Sequence, residues 1–161
     1  MKYHRLILLG FLITFAFPAF SQLLKEKVLI GRVEWGYLPD LKVKYKARID
    51  TGAKTTSIHA TNIEEVQKDG TLYVKFQILD PEGKSIELVR EVDTTQRVAN
   101  ANGTVMKRYA IKEKIKMGGI EKEILINLND RSDMEYKLLI GRNLLLGRFI
   151  VDVARSHVLG D

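Results

Sequence analysis

At 161 residues the chain has room for one domain and little room for two. Hydrophobic residues make up 45% and charged residues 29%, proportions ordinary for a globular protein, so disorder is not expected. The formal charge is +6, but no Arg-rich cluster interleaved with aromatics accompanies it, so no nucleic-acid partner is expected; with no Cys, thiol catalysis and disulfides are excluded.

The N-terminus reads as a leader. Lys2, His4 and Arg5 precede an apolar run from Leu6 to Phe20, and Ala19-Phe20-Ser21 offers small residues at the two positions a signal peptidase inspects. The run is shorter than the ~20 residues a membrane-crossing helix needs. Pro18 near its end breaks a continuing helix. Residues 1–21 are therefore expected to be a cleaved signal peptide. Residues 22–161 would form a single periplasmic or secreted domain with no stable membrane insertion; an uncleaved N-terminal anchor is the alternative.

From Lys25 onward the pattern is strand-like. Val28-Leu29-Ile30-Gly31 is a short apolar run, and Glu34-Trp35-Gly36-Tyr37-Leu38-Pro39 reads as a loop with buried anchors. Leu41, Val43, Tyr45, Ala47 and Ile49 alternate with Lys42, Lys44, Lys46 and Arg48, which predicts a half-buried strand with the cations on its solvent face. Further strands are predicted over 71–79, 86–92, 105–111, 111–117, 120–126 and 124–128. Asn102-Gly103 and Gly118-Gly119 suit tight hairpins that require positive φ. A short helix is expected near 143–146 and a last strand over 149–153. Many short strands, Gly turns and no long amphipathic helix predict an all-β barrel or sandwich.

The strand ending at Ile49 runs into Asp50-Thr51-Gly52-Ala53. All three residue types in Asp-Thr-Gly are turn formers, so alone the tripeptide is also an ordinary turn. Its chemical potential lies in pairing. A carboxylate activates water for amide hydrolysis when another group supplies the acid. Two aspartates sharing one proton do this, because like charges in contact cannot both ionise easily. One takes a proton from water and the other donates to the carbonyl. Gly52 lets its N–H approach the carboxylate, Thr51 offers a hydroxyl to tie the turn, and Ala53 is small enough to lie beside a second chain.

Late in the chain comes Leu139-Ile140-Gly141-Arg142-Asn143-Leu144-Leu145. With the Asp-Thr-Gly turn it resembles the retropepsin pattern. Glu34, Trp35, Leu38-Pro39, Ala47 to Thr55, Ser57, His59-Ala60, Arg108, Asp130-Arg131 and Met134 extend the likeness. Together they resemble the bacterial retropepsin-like aspartic peptidases long labelled "ATP-dependent zinc protease", some of which accompany glutamate-ligating enzymes. The resemblance implies a closed retropepsin-like β-barrel with one short C-terminal helix, acting on a peptide or protein. It implies Asp50 as the catalytic residue, supported by Thr51, Gly52, Ala53, Gly141 and Arg142, with Gly141 packed behind the turn. Asn102 and Gly103 fall where retropepsins carry their flap, and Arg108 and Arg131 become candidate substrate or flap contacts.

Only one Asp-Thr-Gly is present; in Asp93-Thr94-Thr95 a threonine replaces the glycine. One catalytic turn per chain implies a homodimer. No cofactor or metal is expected. Zinc needs three or four ligands, commonly His or Cys, and beyond the leader only His59 and His157 remain. No Gly-rich phosphate loop is present for ATP. The competing expectation is a peptide-binding module on the same barrel without turnover. Retropepsins weave their chain ends into a dimer sheet, and residues 152–161 do not obviously match that arrangement.

The remaining candidates have plainer readings. Ser57 and His59 share a strand face, but no nucleophile elbow surrounds them, so they are expected to hydrogen-bond around the site. Asp130 and Arg131 are read as an ion pair or as substrate contacts. Arg108 and Arg142 could grip an acidic substrate through bidentate contacts, while Arg142 also suits bracing the fold. Trp35 reads as a core plug.

Overall fold

Burial follows the alternation in the central strands. The computed structural model describes residues 27–99 and 105–160; the predicted leader and the Asn102-Gly103 turn lie outside them. Twelve strands and one short helix are described: β1 Val28–Gly31, β2 Val33–Leu38, β3 Val43–Ile49, β4 Thr56–His59, β5 Thr61–Lys68, β6 Thr71–Leu79, β7 Ser85–Glu91, β8 Thr94–Ala99, β9 Val105–Met117, β10 Ile120–Asn129, β11 Leu138–Ile140, α1 Arg142–Leu145 and β12 Phe149–Asp152. The chain is thus nearly all β, as its pattern predicts.

In β3 the buried positions Val43, Tyr45, Ala47 and Ile49 alternate strictly with exposed Lys44, Lys46 and Arg48. The segment expected to be a loop, Glu34 to Leu38, is instead part of β2, which pairs antiparallel with β3. What misleads is Glu34. A charged residue argues against a buried strand position, yet Glu34 is fully buried. Its carboxylate accepts backbone N–H groups from Gly31 at 2.6 Å, Val158 at 2.9 Å and Leu159 at 3.3 Å.

The pairings run round in a ring. β10 lies parallel to β4, β4 antiparallel to β11, β11 parallel to β3, β3 antiparallel to β2, β2 to β9, and β9 back to β10. The β2–β9 seam is the thinnest, with the single pair Tyr37 and Lys116. β8 adds to the outer edge of β9, and β5, β6 and β7 form a separate antiparallel sheet. Gly118 and Gly119 have φ of 55° and 78°, the positive values a two-residue hairpin between β9 and β10 requires. Inside lie Phe76, Ile111, Ile115, Ile126, Leu138, Ile140 and Leu144. This core fixes the short β11–α1 segment against the end of β3, where Asp50 stands.

The C-terminal strand β12 pairs parallel with β1 of the same chain. Beyond it Arg32 N–H donates to Arg155 O at 2.8 Å and His157 N–H to Val33 O at 2.8 Å. Among the described residues no helix is long and apolar enough to cross a membrane.

Candidate active site

Asp50 follows β3 by one residue, and its N–H continues the ladder to Ile140 O at 2.9 Å. The chain then turns around the carboxylate. Oδ1 accepts the N–H of Gly52 at 2.9 Å and of Ala53 at 3.0 Å. A Cβ on Gly52 would lie 3.2 Å from that oxygen, so glycine leaves the room this close approach needs. Thr51 and Gly52 are exposed, and Asp50 and Ala53 half-buried.

A second layer grips the turn from outside. Arg142 Nη1 donates to Thr51 O at 3.0 Å and to Gly52 O at 2.6 Å. The backbone N–H groups of Arg142 and Asn143 donate to Ala53 O at 2.9 Å and Lys54 O at 3.2 Å. Gly141 sits directly behind. A Cβ there would stand 2.6 Å from the Thr55 carbonyl carbon and 2.9 Å from Thr56 N, so only glycine permits the contact. Thr51 contributes its carbonyl to this brace. The hydroxyl that ties the layers together belongs to Thr56, which accepts from Gly141 N–H at 3.1 Å and donates to Asn143 Oδ1 at 2.9 Å. Asn143 also accepts from Thr56 N–H at 2.9 Å and donates from Nδ2 to Leu125 O at 2.7 Å. The sequence alone does not single out Thr56, and it shows Asn143 only as part of the late glycine segment and the short helix. Neither has a local signal, since their partners lie far along the chain.

Beside the turn is a buried cationic network. The Arg131 side chain donates from Nε to Tyr136 O at 3.0 Å and from Nη1 to Ser57 Oγ at 3.2 Å. Its residue is only 8% exposed. Burial and the neighbouring Arg108 guanidinium both favour its neutral form, while the Asp50 carboxylate opposes them, so these three charges share one region. Arg108 reaches it from β9 and has a buried Nε without a hydrogen-bond partner. Neither arginine forms an ion pair within the described residues, so of the two readings of Asp130 and Arg131, ion pair or substrate contacts, the ion pair is not formed. Asp130 turns its Oδ1 to Ser132 instead, accepting from the N–H at 2.9 Å and the hydroxyl at 2.6 Å. That bonding holds Asp130 below the usual carboxylate range.

Ser57 and His59, buried on β4, serve this network. His59 Nδ1 accepts the Arg131 N–H at 3.0 Å and therefore carries no proton on that nitrogen. Its 3.7 Å approach to Asp130 is consequently not an ion pair, although the distance would allow one. Burial and then Lys137 hold the imidazole below its ordinary value, against a smaller opposing effect of Asp130. Lys137 itself caps the loop, donating to the carbonyls of Arg131, Ser132 and Met134 at 3.0, 2.9 and 3.3 Å.

The second Asp-Thr pair lies in a different setting, where Asp93 is paired to Lys112 at 2.7 Å. Asn102 and Gly103 are outside the described residues. The strands leading to them, β8 and β9, pair antiparallel up to Ala99 and Val105. Trp35 is half-buried on the outward face of β2 rather than in the core, with Lys44 Nζ 5.0 Å and Lys46 Nζ 5.5 Å from its ring centroid.

The chain is similar to known proteins. The family model described as "RimB-like: Retropepsin-like aspartic endopeptidase RimB" matches residues 29–160. A "Probable alpha-L-glutamate ligase" of Parasynechococcus marenigrum is 36% identical over 140 residues. Proteins of the same description from Shewanella halifaxensis and Desulfotalea psychrophila are 35% and 34% identical. The matches take in 84% of this chain but only 30% to 31% of those relatives, so the chain spans under a third of their length. A solved structure from Legionella pneumophila, described as a protein with unknown function (DUF785), superposes with a TM-score of 0.69 at 30% identity. That match covers 82% of this chain and 98% of the other.

Proposed function

Because the chain belongs to the RimB-like family of retropepsin-like aspartic endopeptidases, we propose that it hydrolyses peptide bonds with water activated by two Asp50 carboxylates, one from each copy of a homodimer. The carrying observation is the grip on Asp50. Two backbone N–H groups fix Oδ1, and no described residue bonds Oδ2. The turn around it is exposed at Thr51 and Gly52, where a second copy can approach. In the pair, one carboxylate is ionised and the other protonated. The ionised one takes a proton from water, whose oxygen adds to the scissile carbonyl carbon while the protonated one donates to the carbonyl oxygen. Collapse of the tetrahedral intermediate returns a proton to the leaving amine, and no covalent enzyme intermediate forms.

Acidic peptides are the substrate class that fits. Arg131 and Arg108 place two positive charges beside the single Asp50 carboxylate, with no ion pair to either among the described residues, and guanidinium groups suit carboxylates. The relatives' description as probable glutamate ligases points to the same chemistry. The domain would be residues 22–161, exported to the periplasm or beyond after loss of residues 1–21, with an N-terminal anchor as the alternative.

A peptide-binding module without turnover is the second reading. Its support is the chain end. β12 pairs with β1, and the tail binds Glu34 within one chain, whereas retropepsins share their ends across the dimer axis. The test compares wild type with Asp50→Asn and Asp50→Ala on acidic and neutral peptides across pH, alongside sedimentation. Cleavage by a dimeric wild type, lost in both variants, is the expected result. Equal cleavage by the variants sinks the dyad, and self-association with peptide binding but no cleavage favours the module.

A further inference from the structure

We infer that the outward face of β3 is a docking track for an extended acidic peptide, leading to Asp50 from outside the catalytic centre. The occupant follows from the acidic-peptide reading of the Asp50 site, on which this inference rests; the track itself uses none of that site's residues.

Lys44, Lys46 and Arg48 occupy successive exposed positions of β3, with Lys42 exposed just before them. Continued one step past the strand, the same alternation reaches Asp50. Neighbours on one face of a strand lie roughly 6.6–6.8 Å apart, the spacing at which an extended peptide repeats its own side chains. A chain with acids at alternate positions therefore matches the row charge for charge.

Among the described residues none of these four cations forms an ion pair. On the neighbouring strand β9 the pattern is different: Lys112 meets Asp93 at 2.7 Å, Lys114 approaches Asp40 at 3.9 Å, and Lys116 stands opposite Glu121. The β9 lysines are balanced surface charge, and the β3 row is not.

The row also has walls. β2 sets Trp35 opposite Lys46 and Tyr37 opposite Lys44. Leu79, Asp80, Pro81 and Glu135 join Trp35, Lys44 and Lys46 in lining a cleft of about 360 Å³. A line of charge beside a concave wall fits a linear polyanion. Asp80 and Glu135 line the same cleft beside Lys44, Lys46 and Lys137, so cations outnumber carboxylates in its lining while the charge is not uniform.

Trp35 is the only tryptophan of the chain, so its emission reports on the track. The Asp50→Asn protein is titrated with a synthetic poly-L-glutamate peptide, with anionic phospholipid vesicles, and with a neutral peptide of equal length, calorimetry giving affinity independently. The glutamate peptide should bind with a saturable change in Trp35 emission. Binding should weaken about tenfold in the Lys44→Gln/Lys46→Gln protein, as two lost surface charge contacts imply, and should fall with salt. Unchanged thermal unfolding of that variant shows that its fold is intact. No binding, equal binding by the variant, or a response to vesicles in place of the peptide overturns the track. Because Asp50→Asn turns nothing over, track binding can survive a failure of the peptidase reading. Conversely, cleavage of short acidic peptides by wild type with no loss of peptide binding in the lysine variant removes the track alone.

Discussion

Arg142 and Gly52 are 90 residues apart in the chain and 2.6 Å apart in space, joined from Nη1 to the carbonyl oxygen. The same nitrogen reaches Thr51 O at 3.0 Å. Asp50 Oδ1 holds the N–H side of this turn while Arg142 holds its carbonyl side, so the peptide units that fix the carboxylate are clamped from both ends.

Arg142→Ala should therefore damage activity more than stability. The side chain is exposed, and its loss should cost about 1 kcal/mol, a usual net value for such bonds. The turn it releases carries the proposed catalytic group, so peptide cleavage should fall by about tenfold or more, as displaced catalytic groups commonly cause. Parallel measurement of kcat and of the urea midpoint checks this. A variant that unfolds earlier but cleaves at the wild-type rate contradicts it.

Gly141→Ala should act the other way round, through the fold. The added methyl would meet backbone atoms of Thr55 and Thr56 at 2.6 to 2.9 Å, and these cannot swing aside as a side chain can. Overpacking of this kind costs about 1–3 kcal/mol or more. Equilibrium urea unfolding should show a lower midpoint with an unchanged slope.

Glu34 predicts a local effect at the chain's end. Glu34→Gln replaces an acceptor-only carboxylate by an amide with one accepting oxygen, facing the N–H groups of Gly31, Val158 and Leu159. Leaving buried donors unmet costs about 1–3 kcal/mol. Hydrogen exchange at Val158 and Leu159 should accelerate well beyond that at Ala47 in β3. Uniform acceleration throughout would mean that the carboxylate supports the whole fold and not the tail.

These residues also show what the sequence can and cannot reveal. The β3 alternation is local, and its burial pattern is legible from period two alone. The Asp-Thr-Gly turn and the late glycine segment are legible as short motifs. Glu34 was not legible as a strand residue, because the donors that make its burial tolerable come from 124 and 125 residues downstream as well as from Gly31. The link between Thr56 and Asn143 is not legible for the same reason: their bond spans 87 residues, and either type alone is an ordinary surface residue. Of the two readings of Asp130 and Arg131, ion pair or substrate contacts, the ion pair is not formed, for a different cause. Adjacent opposite charges look like partners, but Ser132 is better placed for the carboxylate, and Ser57 and the Tyr136 carbonyl for the guanidinium.

His59 sets a pH dependence whose sign follows from its environment. Burial and Lys137 hold it below the ordinary value of 6.5, so between the folded and unfolded pKa values the unfolded chain binds more protons. The stability that neutral His59 contributes is present above pH 6.5 and is lost as pH falls through the folded pKa. Protonation would also leave Nδ1 unable to accept the Arg131 N–H, and would add a cation beside a guanidinium already near Arg108. His59→Asn retains an oxygen acceptor close to the Nδ1 position but does not titrate. Wild type should lose stability with a slope of up to about 1.4 kcal/mol per pH unit from this group as the pH is lowered below 6.5, and the asparagine variant should lose that component. The comparison is made by chemical denaturation from neutral to mildly acidic pH. Identical slopes in the two proteins would mean that His59 stays uncharged throughout, or charges at no cost to the fold.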